Sequence, residues 1–229
     1  MYCQPSNYPD IFLTNLDTNP TILSPNADYS IQFALTKEES YDLEEFKSFL
    51  DSGIRAFRHS RTYTHYKGYL MGLGLNCCQF HPYIQNDSED NKMADLEMHH
   101  CMLNIYDIAI LITNHFLNTI GTITEFDLSE ILKYEHLHNR IPIVFLCKTC
   151  HQQYHHQYLY VHPNMIFGKW WELIERYPMG LDRDIVFKLL MYLKKASGEK
   201  FAAQTERNKQ LMKLRDHLLE WYNTGCKSI

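Results

Sequence analysis

The stretch Ile143 to His156 reads IVFLCKTCHQQYHH, an apolar run that ends in Cys147-x-x-Cys150 and then supplies histidines. His151 follows Cys150 directly, and His155 comes four residues later. Residues four apart lie on one helix face, so both imidazoles can point at a single ion. Packing alone gives thiols and imidazoles no reason to fall at this spacing. A second concentration of the same chemistry is the pair His99-His100, at the end of a segment, Met93–Met98, that reads as a short strand. On an extended backbone adjacent side chains point to opposite sides, so these two rings can serve different ends.

Both groups need rigid elements beneath them. Residues 141–146 form a continuous apolar run of strand length, with Pro142 at its beginning or edge, and residues 149–157 read as a short helix. Between the two histidine groups lie two helical patterns. Asn104 can cap the first, with Asp107 in its opening turn, and Ile105, Ile108, Ala109, Ile112 and Phe116 form its apolar face before Gly121 stops it. Thr124-x-x-Asp127 starts the second, with Leu128, Ile131 and Leu132 inward and an end near Asn139. Upstream, residues 1–26 are rich in Asn, Pro, Asp and Ser and read as an irregular arm pinned by Tyr8, Ile11, Phe12 and Leu13. Tyr29, Ile31, Phe33 and Leu35 alternate as in a half-buried strand, and Leu43, Phe46, Phe49, Leu50, Ile54 and Phe57 recur at helical spacing. A further helix takes Tyr63, Tyr66, Leu70 and Leu73 inward. After Pro163 the chain reads as wholly helical, with a stop at Tyr177-Pro178, a cap at Asp182 and a last helix from about Lys200 to Tyr222.

The 229 residues suffice for one large domain or a core with an appended part. Hydrophobic residues are 45% and charged residues 21%, a balance that excludes wholesale disorder. A net charge of −5 argues against a generic nucleic-acid coat and leaves room for a local basic groove. That groove has a candidate: Arg55, Arg58, His59, Arg61, His65 and Lys67 fall in one segment without an acid and with tyrosines interleaved. By itself the pattern reads first as a solvated helix surface; the reading as a surface that contacts phosphates draws its support from the histidine and cysteine groups instead. No charged segment followed by an apolar one opens the chain, and the longest apolar stretch, Ile108–Ile112, is far shorter than a membrane span, so a cytoplasmic protein is expected. The seven cysteines then read as thiols or metal ligands rather than disulfides.

The order of strand, His-His, long excursion, strand, Cys-x-x-Cys-His and then His on a helix resembles an HNH endonuclease, a nuclease built on a ββα-metal finger. The residues that carry the resemblance are Leu96-Glu97-Met98-His99-His100 and Leu146 to His155, within a span of roughly Cys77 to Gln157. It implies an α+β, mainly helical fold, with the finger core embedded between N-terminal and C-terminal helices. The corresponding division is 1–75 for the arm, strand and basic helices, 76–160 for the core with its insert at 104–139, and 161–229 for the helical end. It implies that His99, His151 and His155 hold one divalent ion (Mg²⁺, Mn²⁺, Ni²⁺ or Zn²⁺) and that His100 is the general base in phosphodiester hydrolysis. The family's middle Asn normally lies nine residues before the helix's first histidine; that position holds Pro142 here, and Asn139, three residues earlier, is the candidate replacement, with Asn104, close after the histidine pair, as another.

Many members of that family add a structural zinc from two Cys-x-x-Cys knuckles. The rear knuckle is Cys147 and Cys150; the best match for the front one is Cys78-x-x-His81, giving a Cys₃His set, with Cys77 and Cys101 as possible substitutes. The expected partner is nucleic acid, DNA by preference, approaching along Arg55, Arg58, Arg61 and Lys67. The alternative is an inactive, zinc-stabilised binding protein of the kind a phage or mobile element carries, acting on a protein partner. Its acidic balance suits that second reading.

Overall fold

The computed structural model describes residues 34–84, 96–198 and 206–224. The N-terminal arm, the start of the first expected strand, the residues 85–95 and the first residues of the expected last helix lie outside them.

The architecture is α+β and mainly helical, with two small antiparallel sheets. β1 (Ala34–Thr36) pairs with β3 (Thr122–Thr124), and β2 (Leu96–His100) pairs with β4 (Ile143–Cys147). Around them run α1 (Leu43–Arg58), α2 (Arg61–Gly72), α3 (Ile105–Thr119), α4 (Glu125–Leu137), α5 (Lys148–His155), α6 (Trp170–Arg176), α7 (Arg183–Gly198) and α8 (Glu206–Thr224). β4 is buried at all of its residues, as a five-residue apolar run should be when both faces are covered.

Local chemistry explains where the elements begin. The Asp42 carboxylate accepts from the N–H groups of Glu44 and Glu45 and starts α1. Asn104 accepts from Tyr106 and Asp107 N–H while the Asp107 carboxylate accepts from the Asn104 N–H, a capping box that starts α3. Thr124 and Asp127 form the same reciprocal pair at α4. Gly121, at φ +91°, ends the α3 region in a conformation that favours glycine. Gly180 allows the turn after α6 to lie directly on α3; a Cβ there would sit 1.7 Å from the Leu111 carbonyl oxygen.

The N-terminal helices, the β2–β4 sheet with α5, and the C-terminal helices contribute to one continuous core, from Leu35 through Phe145 to Leu218. α1 packs chiefly on α4 of the insert, and α7 packs on α8. A buried carboxylate ties the insert to the C-terminal part. Glu135 on α4, fully buried, accepts from Arg140 Nε at 2.5 Å, Arg176 Nε at 3.2 Å and Tyr177 Oη at 2.7 Å. Such a charge is tolerated only because it is paired and hydrogen-bonded. Among the described residues no helix is long and apolar enough to cross a membrane.

Three details differ from the sequence reading. The strand expected at Met93–Met98 runs Leu96–His100, because pairing with β4 sets Leu96 opposite Cys147 and His100 opposite Ile143. β3 was not foreseen: its three residues also form the α4 cap, and the cap is the louder signal. α5 begins at Lys148, one residue before the expected start.

Candidate functional site

β2, β4 and α5 form a ββα unit, and its two halves bring the imidazoles together. His99 Nδ1 lies 3.0 Å from His151 Nε2, which lies 3.0 Å from His155 Nε2. All three ligand atoms are within 4.8 Å of one another. Nitrogens held at about 2.1 Å from one ion stand roughly 3.0–3.4 Å apart, so the donor set fits a divalent cation. Tautomers favour it too. His151 Nδ1 is 2.6 Å from Glu97 Oε2, and a carboxylate only accepts, so Nδ1 carries the proton and Nε2 offers its lone pair. Burial, and then the neighbouring His151 and His155, hold His99 down at about 4, so it is neutral when a ligand must be. The Tyr154 ring packs edge-on against His99 at 4.7 Å, and its hydroxyl accepts from the Met102 N–H, fixing the turn that follows the histidine pair.

His100 is nearly buried and belongs to a different set of contacts. Its Nε2 lies 2.9 Å from Nε2 of His136, on α4. Burial, then the charges of His136, His99 and Arg58, push its pKa far down. Arg58, exposed at the end of α1, is thus near enough for its charge to bear on His100. Arg55 on α1, His59 in the turn after it, and Arg61 and His65 on α2 are exposed, and Lys67 is half-buried. Of the basic segment, Arg58 is the residue whose charge reaches His100.

A second cluster joins the front and rear knuckles. Cys78, His81, Cys147 and Cys150 place one ligand atom each within 4.8 Å of the others. His81 Nδ1 is 4.0 Å from Cys78 Sγ, 3.8 Å from Cys147 Sγ and 3.2 Å from Cys150 Sγ. Tetrahedral zinc with ligands at about 2.0–2.3 Å sets them roughly 3.5–3.8 Å apart, so the Cys₃His set fits. The front knuckle is held in place by backbone bonds: Cys78 N–H to the Ile84 carbonyl, His81 N–H to the Cys78 carbonyl and Gln79 N–H to the Phe145 carbonyl of β4. Burial raises the Cys147 thiol, but the Cys150 N–H, His81 and the two other thiols outweigh it and bring Cys147 down to about 7. A thiol so placed is readied for the thiolate form that metals take.

Of the residues singled out from sequence, the structure brings together His99, His151 and His155, and separately Cys78, His81, Cys147 and Cys150. Cys101 stands apart, its sulfur 3.4 Å from Tyr154 Oη and 3.6 Å from Tyr192 Oη. His156 closes α5 and packs near Tyr158 instead of joining the imidazoles. Asn139, at φ +53°, accepts from the Tyr66 hydroxyl at 3.2 Å. The residue found against His100 is His136. Sequence reasoning gave no role to His136 or Glu97. Glu97 had a legible signal, since it shares the β2 face of His99 two residues on. His136 had one as well: it lies four residues past Leu132, on the inward stripe of α4.

No curated protein and no solved structure matches the chain. The family comparison does match, over residues 7–224, a span that covers the N-terminal helices, both clusters and the C-terminal helices. The chain belongs to the bacteriophage G278-like virion protein family.

Proposed function

We propose that the protein is a metal-dependent endonuclease of the HNH type that hydrolyses phosphodiester bonds in DNA. The observation that carries this reading is the convergence of His99, His151 and His155 from β2 and α5, with His100 next to His99 on the same strand. A divalent ion held by the three nitrogens supplies charge for a phosphoryl oxygen and for the leaving oxygen. His100, neutral through burial, accepts the proton of the attacking water. Glu97 keeps His151 in its ligating tautomer. Arg55, Arg58, Arg61 and Lys67 contact backbone phosphates, which orient a duplex without reading its bases. The Cys₃His cluster holds zinc as a structural centre and fixes the start of α5.

The test is plasmid nicking with Mg²⁺, Mn²⁺, Ni²⁺ or Zn²⁺, wild type against His100→Ala. A loss of at least about a hundredfold in the variant is expected. Equal activity in the two proteins removes the nuclease reading from this site.

The family description favours a second reading. A virion protein can use the finger as a zinc-stabilised scaffold and act by binding a protein partner. The net charge of −5 fits that role better than it fits a general DNA binder. Recovery of the chain from purified phage particles in a fixed complex, together with no nicking by wild type, is the outcome that selects it.

A further inference from the structure

His136 lies on α4, in the insert, yet reaches the candidate base. We propose that His136 is the positioning residue for His100: it accepts a hydrogen bond from His100 Nε2–H and so fixes the tautomer in which His100 Nδ1 carries the free lone pair. The inference rests on the nuclease reading and names which atom of the base does the work.

The assignment follows from the acceptor at the far end of the chain of contacts. His136 Nδ1 is 2.6 Å from the Leu132 carbonyl oxygen. A carbonyl oxygen only accepts, so Nδ1 carries the hydrogen. A neutral imidazole has one N–H, which leaves His136 Nε2 with its lone pair. That atom is 2.9 Å from His100 Nε2, so His100 must be the donor. The proton of neutral His100 is then on Nε2, and Nδ1 is left to accept one. Burial holds His136 at about 4, so its ring is neutral at physiological pH and its Nε2 is free to accept.

The geometry is rigid enough to impose a tautomer. His136 is 1% exposed. Its ring is 4.5 Å from that of Phe57, 5.9 Å from Tyr63 and 5.7 Å from Tyr66. Rotation or a ring flip has no room in such a box, and α4 itself is pinned by its capping box and by α1. Asn139, the sequence candidate for support of the base, has its side-chain oxygen occupied by Tyr66. Support for the base thus comes from His136 on α4 rather than from Asn139.

The tautomer can be read directly. Long-range proton–nitrogen NMR on the full chain with labelled histidine shows which ring nitrogen bears hydrogen. At neutral pH, His100 is expected with its proton on Nε2 and His136 with its proton on Nδ1. In His136→Phe, which keeps an aromatic ring in the box but removes the acceptor, His100 should become a mixture of tautomers. His136→Gln returns an acceptor oxygen near the Nε2 position and should restore the wild-type pattern. In the nicking assay His136→Phe should lower kcat about a hundredfold with KM little changed, and His136→Gln should recover most of it. A wild-type His100 protonated on Nδ1, or a His100 pattern that His136→Phe leaves unaltered, overturns the inference. If His136→Phe does not fold, the wild-type spectrum and the Gln variant still decide. If the tautomers are as expected but wild type does not cut, the nuclease reading falls, and with it the role of His136 in a reaction, while the assignment of the protons stands.

Discussion

Glu97 and His136 show how much a single side chain decides at these sites. Glu97 holds the proton of His151 on the nitrogen that faces away from the cluster. Glu97→Ala should weaken divalent-ion affinity at the imidazole site about ten- to a hundredfold, read by competition with a chelating dye, and leave the thiol cluster's affinity unchanged. His136 has a second, thermodynamic signature. Its pKa is about 4 in the fold, against about 6.5 in an unfolded chain. Between those values the unfolded chain binds more protons, so stability falls as pH is lowered from 6.5 towards 4. At pH 5 the loss from this group is about 2 kcal/mol, and denaturant titrations should show His136→Phe without that part of the slope. The ligand histidines were legible because strand alternation and i, i+4 spacing are written in the sequence. The pairing of His136 with His100 was not, since it depends on which insert helix faces the end of β2.

At the level of elements, caps and apolar stripes made most helices readable. Asn104, Thr124 and Asp182 stand where α3, α4 and α7 begin. Thr124→Ala should lower stability by about 1 kcal/mol in chemical denaturation, because the Asp127 N–H loses its acceptor. Since α4 carries His136, the same variant tests whether fraying of that helix reaches His100. Close approaches are harder to read than periods. Nothing near Gly180 in sequence announces that its Cα lies against the Leu111 carbonyl, yet any side chain there must push α3 and the turn apart. Gly180→Ala should cost about 1–3 kcal/mol, visible as a lowered thermal midpoint. The short β3 was illegible for another reason: its three residues carry too little alternation to register.

For the molecule as a whole, one core spans all three sequence regions, and the three cysteines of the thiol cluster are part of it. Metal bound only by the folded chain adds to its stability, so stripping the ion should lower the thermal midpoint of wild type. Cys150→Ala should start from that lower midpoint and respond little to chelator, as differential scanning fluorimetry can show. The overall α+β class and both donor sets were legible through the resemblance to the HNH finger, whereas the linkage of insert to C-terminal helices through Glu135 was hidden, because Arg140, Arg176 and Tyr177 meet it only in space. The helix α5 has a consequence of its own. Cys150 and His151 are consecutive residues on it, yet each belongs to a different donor set. A tilt of that one short rod therefore disturbs both coordination spheres together. Cobalt(II) seated among the thiols should change its visible absorption when nickel enters among the imidazoles, and by reciprocity each ion should change the affinity for the other by the same factor.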